Sequence, residues 1–84
     1  MTELEIIEGL KNKNLNALKQ MVSLYSAEMT DLAYLLLKRD REKARQTVDD
    51  ILLRFLRPDE AYNMTLPLQS YLMNEVRRAC GLDE

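Results

Sequence analysis

Between residues 15 and 36 the apolar residues Leu15, Leu18, Val22, Tyr25, Met29, Leu32 and Leu36 recur in alternating steps of three and four. At 3.6 residues per turn this spacing keeps one apolar stripe on one side of a helix for about three heptads. A strand would need a period of two, so the pattern excludes a β arrangement for the centre of the chain. Met21, Leu24, Leu35 and Leu37 add a second apolar flank. A helix apolar on two sides is expected at the centre of a bundle rather than in an isolated coiled coil.

The 84 residues have room for one core, and the chain from residue 1 to 84 reads as a single domain. Two Gly and two Pro are too few for a turn-rich β fold, and 46% hydrophobic residues are too many for a disordered chain. The expected class is all-α, a compact four-helix domain. A first helix runs through Leu4, Ile7 and Leu10, with Thr2 and Glu5 at capping-box spacing. Asn14 caps the second helix and Asp40 the third. In the third, Ala44, Val48, Ile51, Leu52 and Phe55 form the inward stripe. A loop spans about Pro58 to Leu66, and a fourth helix begins with Pro67 in its first turn and ends at Gly81.

At about 100° per residue, Leu53 points away from the third helix's inward stripe. Around it lie Glu42, Gln46, Asp49, Asp50 and Arg57, a charged patch with an apolar centre, the composition of a partner-binding surface. A lone exposed leucine is also ordinary on a solvated face. Tyr62 in the loop and Tyr71 in the fourth helix are aromatics of the kind that stack on unpaired bases, and core packing is the competing role for Tyr71. Arg77 and Arg78 stand at the end of the fourth helix, where they either meet its dipole or contact phosphate.

Catalytic and metal chemistry have few players. There is no His and a single cysteine, Cys80, so no thiol–imidazole dyad or Cys/His zinc site can form. Neighbouring Asp49 and Asp50 diverge on a helix and cannot converge on one proton or metal. No enzyme activity, catalytic residue, metal or cofactor is expected. The longest apolar run, Leu32 to Leu37, is far below the roughly 18 residues a membrane span requires. The acidic start of the chain lacks the basic-then-apolar order of a secretory signal, so no membrane association and a cytoplasmic location are expected. The charge is −2 overall, with a middle of +3 over residues 38–58 between flanks of −2 and −3. Such a balance disfavours non-specific coating of nucleic acid.

Asn-Ala-Leu-Lys-Gln at 16–20, Leu-Ala-Tyr-Leu-Leu-Leu-Lys-Arg-Asp-Arg-Glu-Lys-Ala at 32–44 and Val-Asp-Asp-Ile-Leu-Leu-Arg-Phe-Leu-Arg at 48–57 follow one another in a familiar order. From about Leu4 to Cys80 the chain resembles region 2 of the sigma-70 family of bacterial RNA polymerase sigma factors, most closely the extracytoplasmic-function group. The resemblance implies that the third helix, with Arg54 added to the outward set, docks on the clamp-helix coiled coil of the core polymerase β′ subunit. It further implies that the loop and fourth helix contact the promoter −10 element, with Tyr71 where the family commonly has Trp and Arg77 on the family's Arg. Lys43, Arg45 and Gln46 stand where the family carries acids, Leu56 replaces a Trp, and Arg78 replaces an Asn. These departures fit an alternative, a sigma-like interaction module or adaptor that no longer binds promoter DNA, with an anti-sigma protein, another protein or a second copy as its partner.

Overall fold

The computed structural model describes residues 1–81, and Leu82, Asp83 and Glu84 of the expected 1–84 domain lie outside the described residues. Among the described residues, five α-helices follow in order: α1 (Glu3–Lys11), α2 (Leu15–Leu36), α3 (Arg41–Leu53), α4 (Pro58–Ala61) and α5 (Leu68–Ala79), with a 3₁₀ turn at Arg54–Leu56. There is no strand among the described residues. No helix is long and apolar enough to cross a membrane among the described residues.

The helix starts follow local chemistry. The Glu5 amide donates to Thr2 Oγ1 at 3.1 Å and the Thr2 amide to Glu5 Oε1 at 2.7 Å, closing the expected capping box. Asn14 Oδ1 accepts from the Asn16 amide at 2.9 Å, and Asp40 Oδ1 from the Lys43 amide at 3.1 Å. Such side-chain acceptors satisfy first-turn amides that have no partner within the helix. The turn between α2 and α3 holds Lys38 and Arg39 at φ of 58° and 64°. This left-handed pair reverses the chain within four residues and lays α3 back along α2.

At about 1.5 Å per residue, the 22-residue α2 spans roughly 33 Å and sets the long dimension of 36 Å. It packs against α1, α3 and α5, as expected of a central helix. Its buried line differs from the leucine stripe. Ala17, Met21, Met29 and Ala33 are fully buried, whereas Leu15 is 61% exposed and Val22, Leu24 and Leu35 also face solvent. Leu18, Tyr25, Leu32, Leu36 and Leu37 lie half-buried at the margin of the core. The cause is close helix approach: a Cβ built on Gly9 of α1 would stand 2.5 Å from the Ala17 Cβ. Ala17 takes the point of closest approach to α1, Met21, Met29 and Ala33 continue the buried line, and the leucines are displaced to its edges. In α1 the same contact buries Ile6 with Ile7 and Leu10 and leaves Leu4 58% exposed, against the expected Leu4/Ile7/Leu10 face.

In α3 the expected stripe of Ala44, Val48, Ile51 and Leu52 is buried, and Phe55, expected on the same helix, is also buried but lies beyond its end in the 3₁₀ turn. The expected 58–66 loop contains the one-turn α4, so the described residues form five helices rather than four. Pro58 at its first position has a preset φ, and buried Ala61 and Met64 bind the turn to the core beside α1. Pro67 stands one place before α5, as its N-cap, joined to Leu66 by a cis peptide bond. Leu68, Leu72 and Val76 are buried, Ala79 is exposed, and Gly81 takes a φ of 81° just past the helix end.

Candidate functional site

On the outward side of α3, Glu42, Gln46, Asp49, Asp50 and Leu53 are all exposed, and Arg57 follows them on the surface. Leu53 is 57% exposed and does not stand alone. With Leu18 and Val22 of α2, Leu52 and Asp49, it lines an open groove of about 290 Å³. A second groove of about 270 Å³ shares Leu18 and extends along Leu15 and Leu56 to Lys13 and Asn14. Together they form an apolar strip along the α2–α3 seam.

Half of this strip comes from residues whose periodicity points to the core. Leu15, Leu18 and Val22 belong to the leucine stripe, and the α1–α2 contact rotates them outward. The signal that identifies them is the offset of Ala17 from that stripe, since a small residue marks where another helix, here α1 at Gly9, can approach closely.

The two adjacent aspartates face different sides, as the helical angle requires. Asp49 lines the Leu53 groove, while Asp50 lines a cleft of about 520 Å³ between α3 and α5 with Thr47, Arg54, Glu75 and Arg78. Arg54 belongs to that cleft rather than to the Leu53 strip. Its guanidinium donates to Glu75 Oε1 at 2.5 Å, and Arg78 reaches Glu75 Oε2 at 3.5 Å. Glu75 is only 8% exposed, so α5 carries a nearly buried carboxylate clasped by two arginines. Sequence reasoning missed Glu75, because an acid on an otherwise apolar helix side gives no sign of its partner 21 residues away.

The residues expected at DNA are more dispersed. Tyr62 is 68% exposed, with Lys11 Nζ 4.8 Å from its ring centroid. Tyr71 is half-buried, its ring edge-on to Phe55 at 6.5 Å between centroids. Burial, and next the charge of Glu75, pushes its hydroxyl above the ordinary tyrosine range. Arg77 donates to Asn74 Oδ1 at 3.0 Å. Of the four, Tyr71 alone is drawn into the core, while Tyr62, Arg77 and Arg78 remain exposed.

A polar cluster at the opposite end of the bundle was also outside the sequence reading. The Leu68 amide donates to Glu3 Oε1 at 2.9 Å, so a carboxylate of α1 caps α5, whose own N-cap proline offers no side-chain acceptor. Burial and the nearby Glu3 raise the Tyr25 hydroxyl pKa, and Gln69 donates to Glu28 Oε2 at 2.5 Å. Cys80 is partly buried, which raises its thiol pKa. Among the described residues, no three His, Cys, Asp or Glu side chains gather in a way that could hold a metal ion.

No family model, curated protein or solved structure matches this chain.

Proposed function

We propose that this protein is a docking module of the sigma-70 region 2 kind, which acts by binding and not by catalysis. Its partner is the β′ clamp-helix coiled coil of bacterial core RNA polymerase, met in the cytoplasm by the outward face of α3. The observation that carries the reading is the exposed Leu53 at the centre of an apolar groove edged by Asp49. An apolar anchor within a charged rim is the usual anatomy of a protein interface. Glu42, Gln46 and Arg57 supply the rim along the same face. Fully burying a leucine contributes about 2 kcal/mol, so covering the exposed 57% of Leu53 contributes about 1 kcal/mol, a several-fold gain in affinity.

The test is a titration of the purified chain against the isolated clamp-helix coiled coil, with Leu53→Asp alongside. Saturable binding by the wild type, weakened at least tenfold in the variant with helicity unchanged, supports the reading. Equal affinity for both proteins sinks the assignment of the docking face.

A second reading, an adaptor of the same shape that no longer opens promoter DNA, is favoured by one group of observations. Tyr71 packs on Phe55, Arg77 is engaged by Asn74, and Arg78 by Glu75. Binding of single-stranded −10 DNA separates the readings. A module that neutralises several phosphates loses affinity steeply as salt rises, and an adaptor shows no such binding.

A further inference from the structure

The strip along the α2–α3 seam has a property that a face built for a different partner does not need, because it complements itself. Leu15, Leu53 and Leu56 are 61%, 57% and 51% exposed, and the half-buried Leu18 joins the two grooves between them. Projecting leucines and grooves wide enough to receive them therefore occur on the same surface. The ends carry opposite charges. Lys13 borders the groove at the start of α2, and Asp49 borders the other beside Val22, about two and a half helical turns along.

We infer that a second copy of this chain is the occupant of the strip, in a two-fold dimer centred on Leu18 and Leu53. An isologous contact repeats each pairing twice, so turning one copy by 180° brings Lys13 of each onto Asp49 of the other. The same rotation sets the leucine ridge of each copy over the groove of its mate. Five apolar side chains per copy make an interface below the standard size of about 800 Å² per partner, so the dimer is weak and exchanges with monomer at micromolar concentrations. The dimer itself does not depend on the docking reading. Its regulatory consequence does rest on it: the dimer covers Leu53, and only the monomer is then open to a helical partner.

Sedimentation equilibrium of the full chain, from about 10 μM to about 500 μM at low salt, tests the inference. Wild type is expected to rise from the monomer mass of 9.8 kDa toward twice that value. Lys13→Glu and Asp49→Lys each place like charges across both symmetric contacts and are expected to stay monomeric at least tenfold higher in concentration. An equimolar mixture of the two variants restores opposite charges at both contacts and recovers association. A wild type monomeric throughout, or single variants that associate as wild type does, or a mixture without rescue, overturns the dimer. A chain that stays monomeric yet binds the clamp-helix coiled coil through Leu53 refutes the dimer and leaves the docking reading intact. A dimer rescued by charge exchange, with no coiled-coil binding, does the reverse.

Discussion

Replacing Gly9 by Ala sets two well-measured effects against each other. In an isolated helix the change stabilises by about 1 kcal/mol, because glycine gives up more backbone freedom on ordering. Here the added methyl would stand 2.5 Å from the Ala17 Cβ, whereas carbon atoms prefer about 3.5–4.0 Å. The Ala17 Cβ is fixed to the backbone of α2 and cannot swing aside, so α1 has to retreat by roughly 1 Å. That retreat loosens Ile6, Ile7 and Leu10, and it strains the turn in which the Gly9 carbonyl accepts from the Asn12 and Asn14 amides. Overpacking of this kind costs about 1–3 kcal/mol, which exceeds the propensity gain in most of its range. The expected net effect is a loss of about 1 kcal/mol, a fall in Tm of roughly 4–8 °C for a domain of this size. Thermal unfolding followed by circular dichroism measures it. Adding Ala17→Gly to the variant reopens the gap, so the pair is expected to be more stable than the two single losses together predict. A Gly9→Ala protein that melts above the wild type, or a strictly additive pair, would refute the close approach of α1 and α2.

Three further perturbations have expected outcomes. Glu75→Gln removes the counter-charge held between Arg54 and Arg78; because Arg54 is nearly half exposed and water-screened, the loss is about 1–2 kcal/mol, read as a lower urea midpoint at constant slope, and an unchanged midpoint would contradict the clasp. The Tyr25 and Tyr71 hydroxyls are raised above the ordinary 10.0 chiefly by burial, so their contribution is fully present below that pH and is lost as pH rises through the folded values. Tyr71→Phe is therefore expected to flatten the alkaline fall in the denaturation midpoint, and a variant that declines as steeply as wild type would show that the hydroxyl plays no part. Thr2→Ala opens the capping box, whose Thr2 amide holds the Glu5 carboxyl below the usual range, a contribution present at neutral pH and lost as pH falls. Faster amide exchange at Glu5 is the expected result, and unaltered exchange would speak against the cap.

What the sequence reveals here is whatever is decided within a helical turn or two. Thr2, Asn14 and Asp40 act on amides two or three residues away, and α3 has one inward stripe because its apolar residues are few and its polar ones many. The second helix misleads for the opposite reason. With apolar residues nearly all round, its orientation is chosen by which neighbours can come close, and that depends on Gly9, a residue of another helix. The outward position of Leu53 was legible from angle alone. Its union with Leu18 and Val22 was not, because both were spent on an expected core. Glu75 with Arg54, and Glu3 with Leu68, pair residues 21 and 65 positions apart, a distance over which residue type carries no pairing information.

The bond from the Leu68 amide to Glu3 ties the start of α5 to the first helix of the chain. The acceptor that satisfies this first-turn amide stands 65 residues earlier in the sequence, because the N-cap proline of α5 offers no side-chain acceptor of its own. Damage at the front of the chain, by trimming or by a fused tag that draws Glu3 aside, is accordingly felt at the back, as fraying of the first turn of α5.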